Sequence, residues 1–178
     1  MASVDATGPW AKGPTTVGRF LAELLAALEA MFEHPGCFVV TAEFADRRYV
    51  QFWVEPDGKV IAEVVSNQYL GGVGALSAEN EWSLLDDGWS HPEGMALPNW
   101  WCEARDARSL RDVVARIRQV VLQVLGEHER NSVVVKSWSV KRESNSSDLD
   151  RYESRVLYRD ALRSIRRDLD GWAGYAWT

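Results

Sequence analysis

The chain has 178 residues, 46% of them hydrophobic and 26% charged, a balance that suits one folded domain with or without an extension and excludes wholesale disorder. No apolar run reaches the roughly 20 residues that span a bilayer, and Met1–Asp5 shows no basic stretch leading into an apolar core, so neither a membrane span nor a secretory leader is expected. The net charge of −6 is uneven, with 5 basic and 14 acidic residues in 1–100 against 15 and 12 in 101–178, and an acidic total disfavours nucleic-acid binding, which needs a basic surface for phosphate.

Residues 1–15, with Gly8, Pro9, Gly13 and Pro14, read as a loose arm. The first helix is expected from about Thr16 to His34. Val17, Phe20, Leu21, Leu24, Leu25, Leu28, Met31 and Phe32 recur at helical steps, Thr15 or Thr16 caps the start, and Pro35-Gly36 stops it. Its outer face carries Ala22, Ala26, Ala27 and Ala30. Three strands follow, at Cys37–Phe44, Arg48–Glu55 and Lys59–Ser66, joined by the turns Asp46-Arg47 and Pro56-Asp57-Gly58. Such short turns imply an antiparallel meander. Alternation puts Phe38, Val40, Ala42, Phe44, Val50, Phe52 and Val54 on one face. The other face mixes Val39, Thr41, Glu43, Tyr49, Gln51 and Trp53 and needs a cover: a later helix, a second subunit or a bound peptide.

Gly71-Gly72-Val73-Gly74 reads as a loop. Ser77 then caps a short helix to about Asp87, with Gly88 at its end, and an irregular stretch from Trp89 to Trp101 packs its tryptophans onto the body. A long helix is expected from about Asp106 to Leu125, its apolar face built on Leu110, Val113, Ile117, Val121 and Val124. Arg108, Arg111, Arg116 and Arg118 stand on the solvent side. The domain boundary is drawn near residue 130. Residues 131–178 read as an extension: a β-prone stretch at Ser132–Val140, a polar linker at 142–148, and a helix from about Asp148 whose Leu157–Trp172 stripe needs a surface to bury against.

Catalytic signals are weak. His34, His91 and His128 match no metal motif, the glycine run lacks the Lys-Ser/Thr of a phosphate loop, and no Gly-x-Ser-x-Gly elbow exists. Glu43, Glu55 and Glu63 are within reach of one another across strands, where edge protection is the plainer role. Cys37 and Cys102 form no disulfide framework and match no zinc spacing, which fits a reducing cytoplasm. Cys37 belongs to a strand, and Cys102 is followed by Glu103, which disfavours a thiolate. No catalytic residue, cofactor or metal is expected.

The pattern Tyr49-Val50-Gln51-Phe52, Ala62-Glu63-Val64-Val65-Ser66-Asn67, Leu70, Leu76-Ser77, Leu84-Leu85, Gly88-Trp89, Pro92, Asn99-Trp100 resembles the TY-Chap domain, which is similar to YbjN-like proteins and to type III secretion chaperones of the CesT kind. The resemblance covers about residues 16–126. It implies a non-enzymatic, peptide-binding chaperone module of α/β fold and a homodimer; with the elements read above, the expected fold class is α/β (α+β), an antiparallel three-stranded sheet packed with helices, plus the C-terminal helical extension. The partner expected is a protein or peptide client, docking on Tyr49, Gln51, Trp53, Ile61 and Val65; an exposed sheet edge is a second place for an extended strand. An immunity protein that neutralises a basic toxin is the alternative that the acidic charge allows.

Overall fold

A computed structural model of the chain describes residues 14–32, 37–55, 58–92 and 98–140. These lie in the first of the two units into which the chain divides, Met1–Arg142; the second, Glu143–Thr178, falls wholly outside the described residues. The expected helix from Asp148, the polar linker at 142–148 and most of the N-terminal arm lie outside them too.

In chain order the elements are β1 (Thr15–Thr16), α1 (Val17–Phe32), β2 (Cys37–Glu43), β3 (Tyr49–Val54), β4 (Val60–Val64), α2 (Ala78–Asp86), β5 (Trp100–Ala104), α3 (Ala107–Gln119) and β6 (Ser132–Val140). Among the described residues the sheet is antiparallel and six-stranded, in the order β1-β6-β2-β3-β4-β5. This corrects the expected three-stranded sheet. The meander β2-β3-β4 is present, and three further strands join its two edges. Trp100–Ala104, which begins inside the stretch expected to be irregular to Trp101, pairs with β4. Its alternation of buried Trp100, Cys102 and Ala104 with Trp101 and Glu103 is that of a strand with one face on the core. Ser132–Val140, the β-prone stretch beyond the long helix, inserts between β1 and β2.

One face of the sheet carries the core. Val40, Ala42, Val50, Phe52, Val54, Ala62, Val64, Cys102 and Val135 meet Phe20, Leu24 and Leu28 of α1 and Leu110, Val113 and Ile117 of α3. Leu84 of α2 joins the same cluster. The α1 stripe packs as its spacing predicts, except that Ala27, assigned to the outer face, is buried as well.

Local chemistry sets the element ends. Thr16 caps α1 by accepting from Arg19 N (3.3 Å). Two more N–H groups of its first turn donate to backbone carbonyls of the turn before β6, Val17 to Asn131 and Gly18 to Glu129, both at 2.9 Å. Gly18 permits that approach, because a Cβ there would lie 3.1 Å from Glu129 Cβ and 3.2 Å from its carbonyl oxygen. Ser77 caps α2 by accepting from Asn80 N (3.1 Å). Gly88 closes that helix at φ +79, the left-handed conformation that glycine adopts without strain. At α3 Asp106 and Ser109 form a reciprocal capping box. The long helix expected to Leu125 is α-helical only to Gln119; Val120–Val124 is one wide π turn, which keeps Val120, Val121 and Val124 buried. Between β2 and β3, Asp46 and Arg47 both have left-handed φ, 57 and 63. That turn is held by the bond from Phe44 N to Arg48 O (2.8 Å) and by the Arg48 guanidinium, which donates to the carbonyl of Leu125.

Asp106→Ala removes one half of the α3 box and is expected to lower stability by about 1 kcal/mol. Ser109→Ala removes the other half. The double variant should lose little more than either single one, because both disrupt one reciprocal unit. Urea denaturation of the four proteins measures this, and additive losses would count against the shared cap.

Candidate functional site

The second face of the sheet is built by the residues that alternate away from the core. Antiparallel register aligns them in rows across the strands. One row runs Lys136, Thr41, Gln51, Glu63, Trp101; the next runs Trp138, Val39, Trp53, Ile61, Glu103; a third holds Val134, Glu43 and Tyr49. This face is mixed, as the alternation predicted, and it is sheltered. Gln51 is 3% exposed and Trp53 7%, and Val39, Thr41 and Glu63 are buried too, although every described helix contributes to the core on the opposite face.

Of the residues expected to meet a partner, the sheet brings Tyr49, Gln51, Trp53 and Ile61 onto this one face. Val65 is not with them. It lies just past the end of β4, fully buried in the main core with Leu70 and Leu76. The alternation that placed it beside Trp53 stops at Val64, where the strand ends.

A polar network that the sequence did not reveal crosses this face. Tyr49 Oη donates to Asn99 Oδ1 (3.2 Å), and Asn99 Nδ2 donates to Glu63 Oε2 (2.9 Å). Asn99 Oδ1 also accepts from Ser66 N (3.3 Å), and Ser66 Oγ donates to the Pro98 carbonyl. Thr41 Oγ1 donates to Gln51 Oε1 at 3.2 Å. Burying these groups is tolerable because they satisfy one another. Burial, with the Glu63 carboxylate nearby, pushes the Tyr49 hydroxyl well above the ordinary tyrosine range, against the opposing pull of its bond to Asn99. Asn99 sits beyond a loop, 36 residues from Glu63 in the chain, so no local spacing could have linked them.

The edges of the sheet differ. At β5 Ser90 bridges Trp101, donating from Ser90 N (2.8 Å) and accepting from Trp101 N (3.2 Å), so that edge is partly closed. At β6 only Ser132 and Val133 pair with β1. Residues Val134–Val140 pair with β2 on one side and, among the described residues, with no strand on the other. The outward-facing Lys136 is tied to Glu43 Oε1 and Oε2, both at 2.9 Å.

The remaining chemical candidates stay apart. Glu43 pairs with Lys136 and Glu63 with Asn99, so the acids take separate partners. His91 lies edge-on to Trp100, with ring centroids 4.9 Å apart. Among the described residues no group of three or more His, Cys, Asp and Glu side chains is placed to hold a metal ion. The Cys102 thiol is pushed up to about 12, by burial first; the nearby Arg116 opposes the shift and Glu103 is only the smallest contributor. Arg116, assigned to the solvent side of the long helix, turns inward and donates to the Gly88 carbonyl (3.1 Å). The glycine run forms a short 3-10 turn at Gly72–Gly74 and opens no helix. No helix among the described residues is long and apolar enough to cross a membrane.

Residues 16–139 match the family model described as T3SS (YopN, CesT) and YbjN peptide-binding chaperone 3, TY-Chap3. The match extends past residue 126, where the sequence resemblance stops, and takes in nearly all of β6. No curated protein and no solved structure matches the chain.

The raised value of Tyr49 sets a pH dependence. Its folded-state value lies above the unfolded value of about 10, so its contribution is complete below about pH 10 and is lost as the pH rises beyond it. Tyr49→Phe is expected to cost roughly 0.5–1.5 kcal/mol at neutral pH and to flatten the alkaline fall in stability. Unchanged alkaline melting in the variant would show that another group governs it. Trp53→Ala should cost about 3 kcal/mol or more, as removal of a buried indole does; a loss near zero in urea denaturation would show that the ring is not packed.

Proposed function

The chain belongs to the TY-Chap3 family of peptide-binding chaperones, and on that premise we propose that it is a non-enzymatic cytoplasmic chaperone that holds an extended segment of a protein client along the edge of β6 that pairs with no strand among the described residues. The observation that carries this reading is the run of Val134–Val140, paired only with β2 among the described residues, at the edge of an otherwise well-paired sheet. Such a row of backbone donors and acceptors binds an incoming strand through main-chain hydrogen bonds, which makes affinity tolerant of sequence. The short strand β1 uses the same mode, since Thr15 and Thr16 of the chain itself add to the start of that edge. Client side chains then continue the rows of the second face. The row of Gln51 ends at Lys136 on this edge, and the row of Trp53 and Ile61 ends at Trp138. Tyr49, Gln51 and Trp53 stand two strands inward of β6 and Ile61 three, on the same face and behind β2, whereas Val65 serves the core. A cytoplasmic setting suits a chain whose free thiol at Cys102 is buried and protonated.

A short synthetic peptide alternating valine or threonine with serine or lysine is the probe, beside the same peptide with every second amide N-methylated. Hydrogen exchange followed by NMR on the full chain reads the contact. The unmethylated peptide is expected to bind and to slow exchange at amides within Val134–Val140, and the methylated one to do neither. Equal binding of both, or protection confined to other elements, would overturn the edge as the client site. A doubled mass without peptide, with the same amides protected, would assign the edge to a homodimer instead.

A further inference from the structure

The short helix α2 exposes an apolar pair that the core does not use. Trp82 is 66% exposed and Leu85, one turn on, is 40% exposed. The exposure does not come from a loosely held helix. Leu84 of the same helix is fully buried in the core, Asn80 Nδ2 donates to the Val124 carbonyl (3.1 Å), and Trp89 N donates to the Leu84 carbonyl (2.9 Å). Helical geometry puts Ala78, Glu79, Leu85 and Asp86 around the Trp82 ring, three or four residues away on either side. Of the acids on this segment, Glu81 accepts from Asn67 Nδ2 (3.1 Å) and Asp87 from Gln119 Nε2 (2.6 Å). Glu79 and Asp86 are exposed and take no partner among the described residues.

We propose that Trp82 and Leu85, framed by Glu79 and Asp86, are a docking patch for an arginine-bearing segment of a protein partner. A guanidinium stacks on an indole face more favourably than an ammonium does, and it offers planar donors to carboxylates on either side. Leu85 takes the methylene stem or a neighbouring apolar side chain. The net charge of −9 over residues 1–100 draws a basic segment towards this half of the chain. A second copy of the chain is a poor occupant. A two-fold contact centred on Trp82 would bring Glu79 and Asp86 of one protomer against the same carboxylates of its partner. The patch is on a different element from the β6 edge, and the proposal does not depend on client binding there.

The test is a titration of the full chain with a synthetic peptide carrying arginine at every fourth position between leucines and alanines. The control is the same peptide with each arginine replaced by citrulline, which keeps the shape and removes the charge. Calorimetry reads affinity, and NMR reads the Trp82 indole and the β6 amides. The arginine peptide is expected to bind and to shift the Trp82 indole, with affinity falling as salt rises. Binding by the citrulline peptide, by Trp82→Ala, and by the double variant Glu79→Gln, Asp86→Asn should each be weaker by about tenfold. Trp82 is mostly solvent-exposed, so Trp82→Ala should keep the melting temperature, which separates lost docking from lost folding. Equal affinity for both peptides, unchanged affinity in Trp82→Ala, or shifts confined to the β6 amides would overturn the patch. A dimer mass abolished by Trp82→Ala would overturn the arginine partner in favour of self-association. Loss of the Val134–Val140 protection in the strand-peptide experiment would leave this result untouched.

Discussion

The ladder between β2 and β6 is the constraint on which the rest of the structure depends. It pairs Cys37–Glu43 with Val134–Val140, segments about a hundred residues apart, and it turns a local meander into the middle of a larger sheet. Everything between has to return the chain to that edge. The helix α3 and its π turn run back across the sheet, Gly126 and the following turn reverse the chain, and β6 enters beside β2. The same turn supplies the carbonyls of Glu129 and Asn131 to the first N–H groups of α1, so the start of the first helix and the start of the last described strand share one junction. Loop-closure entropy for such a distant pairing is substantial, and burial of Val133 and Val135 against the common core helps offset it.

The sheet has two faces of different physical character. On the helix side the strands present nearly unbroken aliphatic and aromatic surface, and a change of volume there costs stability and little else. On the other side buried polar groups alternate with aromatic rings. Tyr49, Asn99 and Glu63 close a network that is costly to leave half-made, and Thr41 donates to Gln51 within their own row. A network of this kind specifies register, because a one-residue slip would carry every member to the wrong face.

The two surfaces proposed above are of opposite kinds. The β6 edge would recognise through main-chain geometry, indifferent to most side chains. The α2 patch would recognise through charge and one aromatic ring, and would be selective for that reason. A chaperone with both would have a general grip and a specific one on separate elements. The first is set by sheet topology and the second by a few residues on a helix held by Leu84 and Asn80.

Local pattern by itself determined the helices α1, α2 and α3, the meander β2-β3-β4, the caps at Thr16 and Ser77, and the family, because three- and four-residue spacing, strict alternation and cap chemistry all act within a few residues. It also separated the two faces of the meander, placing Tyr49, Gln51 and Trp53 opposite Val50, Phe52 and Val54. Tertiary structure alone decided the rest. Trp100–Ala104 and Ser132–Val140 alternate like strands, yet whether such a stretch joins a sheet, and at which edge, depends on partners far away in the chain. The inward turn of Arg116, the burial of Ala27, the passage of Val65 into the core and the bond from Asn99 to Glu63 depend likewise on groups that no local window contains. Periodicity reports which side of an element is apolar; what that side meets is settled only when the whole sheet closes.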